Sequence, residues 1–234
     1  RKYISSGTVA SAYDAWTQDK LLERLWGEHI HLGFYPSGKK NIDFRKAKVQ
    51  FVHELVKWSG LDKLPKGSRI LDIGCGIGGS SRILAKYYGF NVTGITISPV
   101  QVKRARELTP SGVNCNFQVM DALDLKFEDG SFDAVWSVEA GAHMNDKTKF
   151  ADEMLRTLRP GGYLALADWN SRDLRSYPPS LFDKLVLKQL LEQWVHPNFI
   201  SIKDFANILR TNKNSAGRVI SENWNFYTNP SWYD

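Results

Sequence analysis

A glycine-rich loop between a short apolar segment and a helical one is the feature that most constrains this chain. It reads Ile70-Leu71-Asp72-Ile73-Gly74-Cys75-Gly76-Ile77-Gly78-Gly79. Glycines let the backbone turn tightly and let a ligand approach it without meeting a Cβ atom. In an open α/β sheet, such a loop lies at the carboxyl end of a strand and over the N-terminus of the next helix. The sequence therefore predicts a ligand site at that edge of a sheet.

The rest of the chain alternates between strand and helix patterns. Strands are predicted over 69–73, 91–97, 115–120, 132–138 and 163–167, and helices over 43–58, 78–88, 98 onward, 146–158, 180–194 and 202–209. This order is typical of a parallel sheet with helices on both faces. Residues 218–227 are strand-like in composition. Residues 1–40, rich in aromatic residues and histidine, precede the alternating unit and are expected to form a lid.

Composition and charge exclude several classes of protein. The chain has 234 residues, 42% hydrophobic and 24% charged, which is typical of a globular domain and excludes a disordered one. It contains no apolar run of the roughly 18–20 residues that a membrane span needs. Its two cysteines, Cys75 and Cys115, argue against a disulfide scaffold or a zinc ribbon. The net charge of +6 permits an anionic partner, and a start at Arg1 instead of methionine predicts a trimmed or processed form.

The residues around the loop favour one nucleotide over another. The glycines also match the G-x-G-x-x-G pattern of dinucleotide sites, which is a weak signal alone. However, residues 91–99 offer neither an acid for a ribose nor an arginine for a 2′-phosphate. Asp72 would repel a pyrophosphate but suits the α-ammonium of an amino acid, and Asp121 follows the third strand, where it can accept from an adenine amino group. A nucleoside joined to a cationic amino acid is S-adenosylmethionine.

The loop, Asp121 and the Arg159–Gly162 turn together resemble the class I S-adenosylmethionine-dependent methyltransferases. Longer segments resemble the tocopherol-pathway methyltransferases, above all the cyanobacterial members that methylate a phytylated or solanesylated benzoquinol: 26–33, 94–99, 136–144 and 167–170. The resemblance extends from about Tyr13 to Trp232. It implies a Rossmann-like α/β fold with a mostly parallel seven-stranded sheet, helices on both faces and an N-terminal helical lid. It also implies C-methylation of a prenylated benzoquinol ring.

This resemblance divides the chain into a lid of residues 1–40 and a cofactor-binding methyltransferase domain of residues 41–234. The implied cofactor-binding residues are Asp72, Gly74, Cys75, Gly76, Thr96, Gln101, Asp121, Ala122, Ser137 and Tyr13. Thr96 and Gln101 stand where related cyclopropane-synthase-like enzymes use threonine and glutamine in place of a ribose acid; an ordinary strand residue is the alternative for Thr96. Cys75 is expected to be a small filler in the turn, and packing of the N-terminal helix is the alternative role for Tyr13.

The chemistry needs few titratable groups. A sulfonium methyl is already activated, so placing the nucleophile in line supplies roughly 7–11 kcal/mol. Ionising a phenol at pH 7 costs about 4 kcal/mol, and a base contributes about 10²–10⁴ in rate. His143 is the candidate base or phenol partner, Glu139 the candidate for the substrate hydroxyl, and His29 a group that closes over the substrate. A supporting role for His143 and an ion pair for Glu139 are the alternatives. His29 and His31 lack a convincing third ligand, so no metal site is predicted.

A prenylated substrate places the enzyme at a membrane. Each buried CH₂ is worth about 0.8 kcal/mol, so a long tail stays in the bilayer. We therefore expect association with an anionic membrane surface, by resemblance the cytoplasmic face of cyanobacterial membranes or the plastid envelope. The basic stretch 39–48 fits that role, or a solvated helix start. No nucleic acid partner is implied, and the oligomeric state is left open. Alternatives are another lipid-like, sterol or amine acceptor, an NAD(P)-dependent oxidoreductase, or a binding module without catalysis.

Overall fold

The computed structural model describes residues 3–36, 41–215 and 217–228. The helices are α1 (Ser6–Gln18), α2 (Leu21–Trp26), α3 (Phe44–Ser59), α4 (Gly79–Tyr88), α5 (Pro99–Leu108), α6 (Lys147–Thr157), α7 (Leu181–Trp194), α8 (Ile202–Thr211) and α9 (Asn225–Thr228). The strands are β1 (Arg69–Ile73), β2 (Asn91–Thr96), β3 (Cys115–Val119), β4 (Phe132–Val138) and β5 (Leu158–Ala167). The predicted alternation of strands and helices is confirmed.

The sheet is parallel throughout, with the strand order β3-β2-β1-β4-β5. In β1, Asp72 is paired with Gly94 of β2 on one side and Trp136 of β4 on the other. The strand order reverses at β1, because the chain moves outward through β2 and β3 and then returns to β4. Open α/β sheets bind their ligands in the crevice at such a reversal. The glycine loop therefore lies at the switch point of a Rossmann-like parallel sheet.

Both faces of the sheet are covered, as buried parallel strands require. Successive residues of β1 point to opposite faces. Ile70 packs with Trp136 against α3 and α4, whereas Leu71 packs with Phe150 and Phe205 of α6 and α8. Local signals set the helix ends: the Asp43 side chain accepts from the Lys46 N–H at the start of α3.

Two expectations about the sheet were not met within the described residues. The resemblance predicts seven strands, but five are present. Residues 218–227, predicted to be strand-like, were wrongly assigned: they form an irregular segment that leads into α9. The reason is that their aromatic residues serve a side-chain cluster instead of a ladder. Trp224 makes edge-to-face contacts with Phe34, Phe51 and Trp58 at 5.6–5.9 Å.

Two segments meet above the carboxyl edge of the sheet, and we call residues 3–36 and 168–200 the cap. Val9 and Ala12 of α1 pack against Val195, and Trp16 meets Trp194 edge-to-face at 5.8 Å. The cap covers the end of the sheet that carries the glycine loop. Among the described residues, no helix has the length and apolar character to span a membrane.

Candidate active site

A cleft of about 420 Å³ lies between the glycine loop and the cap. Most of the residues proposed from the sequence line it: Tyr13, His29, Asp72, Gly74, Cys75, Gly76, Thr96, Gln101, Asp121, Ala122, Glu139 and His143. The fold therefore brings together side chains at or just beyond the carboxyl ends of β1, β2, β3 and β4, and one from α5, with side chains from α1 and the segment after α2.

The two glycines that open the loop have different roles. Gly74 has φ +76°, and a Cβ there would collide with the Cβ of Ala140. Gly76 has φ +54°, and a Cβ there would meet nothing within 4 Å. Gly74 thus permits the close packing of the loop on the segment after β4. Gly76 keeps the floor of the cleft open to a ligand.

Asp72 lies under the loop, where it is 2% exposed and still lines the cleft. Its Oδ2 accepts a 2.5 Å hydrogen bond from the Ser81 hydroxyl in α4. Burial raises the pKa of Asp72 to about 7, and the bond from Ser81 opposes part of that rise. A cation beside the carboxylate would favour its ionised form. The position therefore suits an ammonium group and disfavours a phosphate.

The fold brings Thr96 and Gln101 together. The Thr96 hydroxyl donates to Gln101 Oε1 over 2.7 Å, and both side chains are buried. The Ser98 hydroxyl caps α5 by accepting from the Gln101 N–H. Further along the edge, Asp121 is half-buried and accepts from the Leu123 N–H at 2.9 Å. Paired hydroxyl and amide groups in this place suit the hydroxyls of a ribose.

Ser137 and Cys75, two of the proposed cofactor residues, are both buried. Ser137 is fully buried and absent from the cleft lining, because β4 pairs with β1 and the Ser137 hydroxyl donates to the Ile73 carbonyl at 3.0 Å. The Cys75 side chain packs against Val102 and Phe117, and burial raises the pKa of its thiol well above the ordinary value. Cys75 therefore borders the cleft as a small inert filler, and the Ser137 hydroxyl joins β4 to β1 beneath the cleft.

Tyr13 and His143 form the wall opposite the loop. The Tyr13 hydroxyl lies 3.0 Å from His143 Nε2, and the His143 ring stacks on His196 with centroids 4.1 Å apart. Burial lowers the pKa of His143 to about 4 and that of His196 to about 3. Burial also raises the pKa of Tyr13 above its usual value. Near pH 7 this wall is therefore uncharged and largely aromatic.

Glu139 follows β4 directly and has an unusual backbone, with φ +52° in a residue other than glycine. Its Oε1 accepts from the Leu32 N–H of the cap at 2.9 Å, and the Trp169 side chain also bonds the carboxylate. Burial raises the pKa of Glu139 to about 7, and these two hydrogen bonds oppose part of that rise. A carboxyl group with a pKa near the working pH is well matched to general base catalysis.

His29 lies away from this wall, against the first turn of α4. A Cβ at Gly79 would lie 2.8 Å from His29 Cε1. His29 Nδ1 is 3.1 Å from His31 Nε2, and His31 Nδ1 is 2.8 Å from the Leu32 carbonyl oxygen. In the described parts of the chain, no three histidine, cysteine or acidic side chains are grouped to hold a metal ion.

Comparison with known proteins identifies the family. A methyltransferase-domain profile matches residues 71–166. The chain is 57% identical to 2-methyl-6-phytyl-1,4-hydroquinone methyltransferase of Synechocystis over 234 residues, which are all of this chain and 74% of that protein. It is 36% identical to a chloroplastic tocopherol O-methyltransferase of Arabidopsis thaliana over 224 residues, 91% of this chain and 64% of that one. The chain belongs to the tocopherol-pathway methyltransferases.

A solved structure supports the fold of this methyltransferase. The geranyl diphosphate C-methyltransferase of Streptomyces coelicolor superposes with a TM-score of 0.75 at 21% identity, covering 97% of this chain and 85% of that one. The cofactor is S-adenosyl-L-methionine, and the enzyme is a methyltransferase. These findings set aside the oxidoreductase and the non-catalytic alternatives.

Sequence reasoning missed two residues of this methyltransferase's cleft. Trp169 bonds Glu139 and lines the cleft, and its place just after β5 was a usable signal. His196, which no sequence pattern singled out, stacks on His143 and lines the cleft. His196 follows α7 in an irregular segment, where no periodic pattern marks a functional position.

Proposed function

We propose that this enzyme transfers a methyl group from S-adenosylmethionine to a ring carbon of a prenylated benzoquinol. The observation that carries the proposal is the 57% identity over the whole chain to a 2-methyl-6-phytyl-1,4-hydroquinone methyltransferase. The uncharged aromatic wall and the Glu139 carboxyl group beside it, with a pKa near 7, support the proposal, because a quinol ring is apolar and needs one proton acceptor.

The sheet side of the cleft would hold the cofactor, which supplies the activated methyl group when bound. Asp72 would accept from its α-ammonium, and Gly76 would let its amino-acid part approach the loop backbone. Thr96 and Gln101 would bind the ribose hydroxyls, and Asp121 with the backbone of Ala122 would bind the adenine. The donors and acceptors in the cleft fit this cofactor along its whole length.

Glu139 would act on the acceptor. Its carboxylate would accept the proton of the ring hydroxyl next to the methylated carbon, which makes that carbon more electron-rich. The Leu32 N–H and the Trp169 side chain fix the carboxylate in place. His143, with a pKa lowered to about 4, is the weaker base at pH 7 and would instead hold the ring together with Tyr13. Orientation remains the larger contribution, roughly 7–11 kcal/mol.

The test is product identification with a panel of acceptors. The protein is incubated with methyl-labelled S-adenosylmethionine and 2-methyl-6-phytyl-1,4-hydroquinone, a tocopherol, a sterol or a secondary amine, and the labelled atom is located by NMR. We expect label on a ring carbon of the phytyl hydroquinone. Label on oxygen, or transfer only to the sterol or the amine, would contradict the proposal.

We further propose a division of the chain into a lid and a methyltransferase domain, and a sheet larger than five strands. Residues 1–40 act as a lid over a methyltransferase domain of residues 41–234, supported by the contacts of α1 and Leu32 with the cleft. The seven-stranded sheet that the resemblance implies would need two further strands at the outer edge of β5, which pairs only with β4 among the described residues. A groove of about 1180 Å³ runs along that edge and would accommodate them.

We also propose that the enzyme contacts a membrane, although the basic stretch 39–48 does not support this contact. Lys39 and Lys40 lie outside the described residues. Lys48 is only 4% exposed and lies over the Trp26 and Phe44 rings, which corrects its assignment to a surface patch. The better support is α7, where Leu181 and Phe182 are 86% and 73% exposed and Leu185 and Val186 are also exposed. Lys184 and Lys188 are exposed on the same helix and suit anionic headgroups, and its last residue, Trp194, lines the cleft.

Vesicle sedimentation tests this surface with a matched pair of variants. Phe182→Gln should lower partition onto anionic vesicles about tenfold, because an aromatic side chain no longer enters the interface. Tyr87→Gln on α4, which removes an aromatic side chain that is 62% exposed, should leave partition unchanged. Equal binding by the two variants would show that α7 does not dock. No binding by the wild type at low salt, with or without substrate, would contradict membrane association.

A further inference from the structure

The hydrogen bonds of His29 and His31 fix where their protons lie. A carbonyl oxygen only accepts, so the 2.8 Å contact to the Leu32 carbonyl requires a proton on His31 Nδ1. Burial keeps His31 neutral, so its Nε2 carries only a lone pair. His29 Nδ1, 3.1 Å from that lone pair, must therefore be the donor. The pair has one permitted arrangement.

His29 Nε2 is then left without a proton. Burial and the neighbouring charges of Arg82 and Lys48 lower the pKa of His29 to about 4, so the ring is neutral at pH 7. The side chain lines the cleft although it is only 8% exposed. Its Cε1–Nδ1 edge rests on the position of Gly79. The remaining nitrogen is a hydrogen-bond acceptor in the wall of the cleft, with no partner among the described residues.

The position of His29 shows which part of the cofactor it meets. The first turn of α4 carries Gly79, which touches His29, and Ser81, which bonds Asp72. The Thr96–Gln101 pair follows β2, and Asp121 follows β3, one and two strands further along the sheet. His29 and Asp72 therefore share the end of the cleft that belongs to the amino-acid part. A carboxylate and an imidazole lone pair together suit an ammonium group, which only donates, and would repel a carboxylate.

We propose that His29 Nε2 accepts a hydrogen bond from the α-ammonium of bound S-adenosylmethionine, and that His31 is a positioning residue that sets the His29 tautomer. This assigns His29 to the cofactor, whereas the sequence suggested closure over the acceptor. The inference rests on the proposed placement of the amino-acid part beside Asp72. It does not depend on the identity of the methyl acceptor, so it stands or fails separately from quinol methylation.

Calorimetry with two ligands isolates this contact. S-adenosylhomocysteine carries the amino-acid part, and 5′-methylthioadenosine lacks it. His29→Ala should weaken S-adenosylhomocysteine about tenfold to a hundredfold, as expected for a bond to a charged group, and 5′-methylthioadenosine less than twofold. Gln101→Ala, on the ribose side, should weaken both ligands alike. His29→Gln, whose side-chain oxygen can accept, should recover part of the loss. Equal losses of the two ligands in His29→Ala, or no loss for S-adenosylhomocysteine, would overturn the proposal.

A spectroscopic measurement on the unaltered protein guards against misfolded variants. Nitrogen-15 spectra of the imidazoles should show His29 protonated on Nδ1 and bare on Nε2. S-adenosylhomocysteine should shift the Nε2 resonance and 5′-methylthioadenosine should not, with His53 on α3 as the internal reference. In His31→Phe, His29 should populate both tautomers and lose part of its affinity for S-adenosylhomocysteine. A proton on His29 Nε2 in the wild type, or a resonance indifferent to S-adenosylhomocysteine, would refute the assignment.

Discussion

Within each side of the cleft, hydrogen bonds join residues of the chain, and the sequence separation of these residues differs greatly between the two sides. On the sheet side, Ser81 bonds Asp72 from nine residues away, and Thr96 bonds Gln101 from five. On the cap side, Tyr13 meets His143 across 130 positions, and Leu32 bonds Glu139 across 107. The sheet side is therefore assembled within single strand–helix units. The cap side exists only when the cap has docked, so the two sides should respond differently to substitution.

The largest expected effect is on the cap side. Glu139→Gln should lower kcat by about 10²–10⁴, because the amide cannot take up the hydroxyl proton. The wild-type rate should rise with pH and level off above about pH 7, since the ionised carboxylate is the active form and burial sets its pKa near 7. The variant should lack that rise. Initial rates between pH 5.5 and 8.5 check both.

In Glu139→Gln, affinity for S-adenosylhomocysteine should stay within twofold of the wild-type value. The substitution would then affect the cap side of the cleft and leave the sheet side unchanged. Glu128→Gln, at an exposed carboxylate, serves as the control and should retain full activity. A Glu139→Gln enzyme with more than half the wild-type kcat, or one that keeps the pH-dependent rise, would remove Glu139 from the role of base.

The next effect is on the stability of the sheet side. Gly74→Ala should lower the free energy of unfolding by about 2–5 kcal/mol, combining left-handed backbone strain with overpacking against Ala140. Gly67→Ala is the matched control, since Gly67 has φ +85° and open space around it. It should cost only the backbone strain, about 1–2 kcal/mol. Urea unfolding measures both, and equal losses would mean that the loop relaxes freely away from Ala140.

The smallest effect is a pH dependence of cofactor affinity. Wild-type affinity for S-adenosylhomocysteine should rise about tenfold between pH 6 and 8, because burial raises the Asp72 pKa to about 7 and the ammonium binds the ionised form. His29 is neutral and the Cys75 thiol protonated throughout this range. Asp72→Asn should abolish the dependence, and 5′-methylthioadenosine should show none in either protein. A dependence that persists in the Asn variant would assign it to another group.

The same contrast explains how much the sequence could predict. The glycine loop, the five parallel strands and the capped start of α3 at Asp43 follow from local signals, whereas Thr96 and Gln101 were singled out by the family resemblance. The bond from the Leu32 N–H to Glu139, the stacking of His196 and the burial of Lys48 depend on segments that meet only in the folded chain. Local pattern also misread 218–227, because aromatic residues that build a side-chain cluster resemble those of a strand.

The left-handed backbone at Glu139 links the stability of the protein to the position of its proposed base. That conformation costs a residue with a side chain of order 1–3 kcal/mol, whereas glycine adopts φ +52° without penalty. Glycine at this site would remove that cost, but it would also leave the Leu32 N–H and the Trp169 side chain without their acceptor, at about 1–3 kcal/mol for each buried donor. The strained backbone is therefore held by the same hydrogen bonds that fix the proposed base, and Glu139→Gly would lose the base without making the protein more stable.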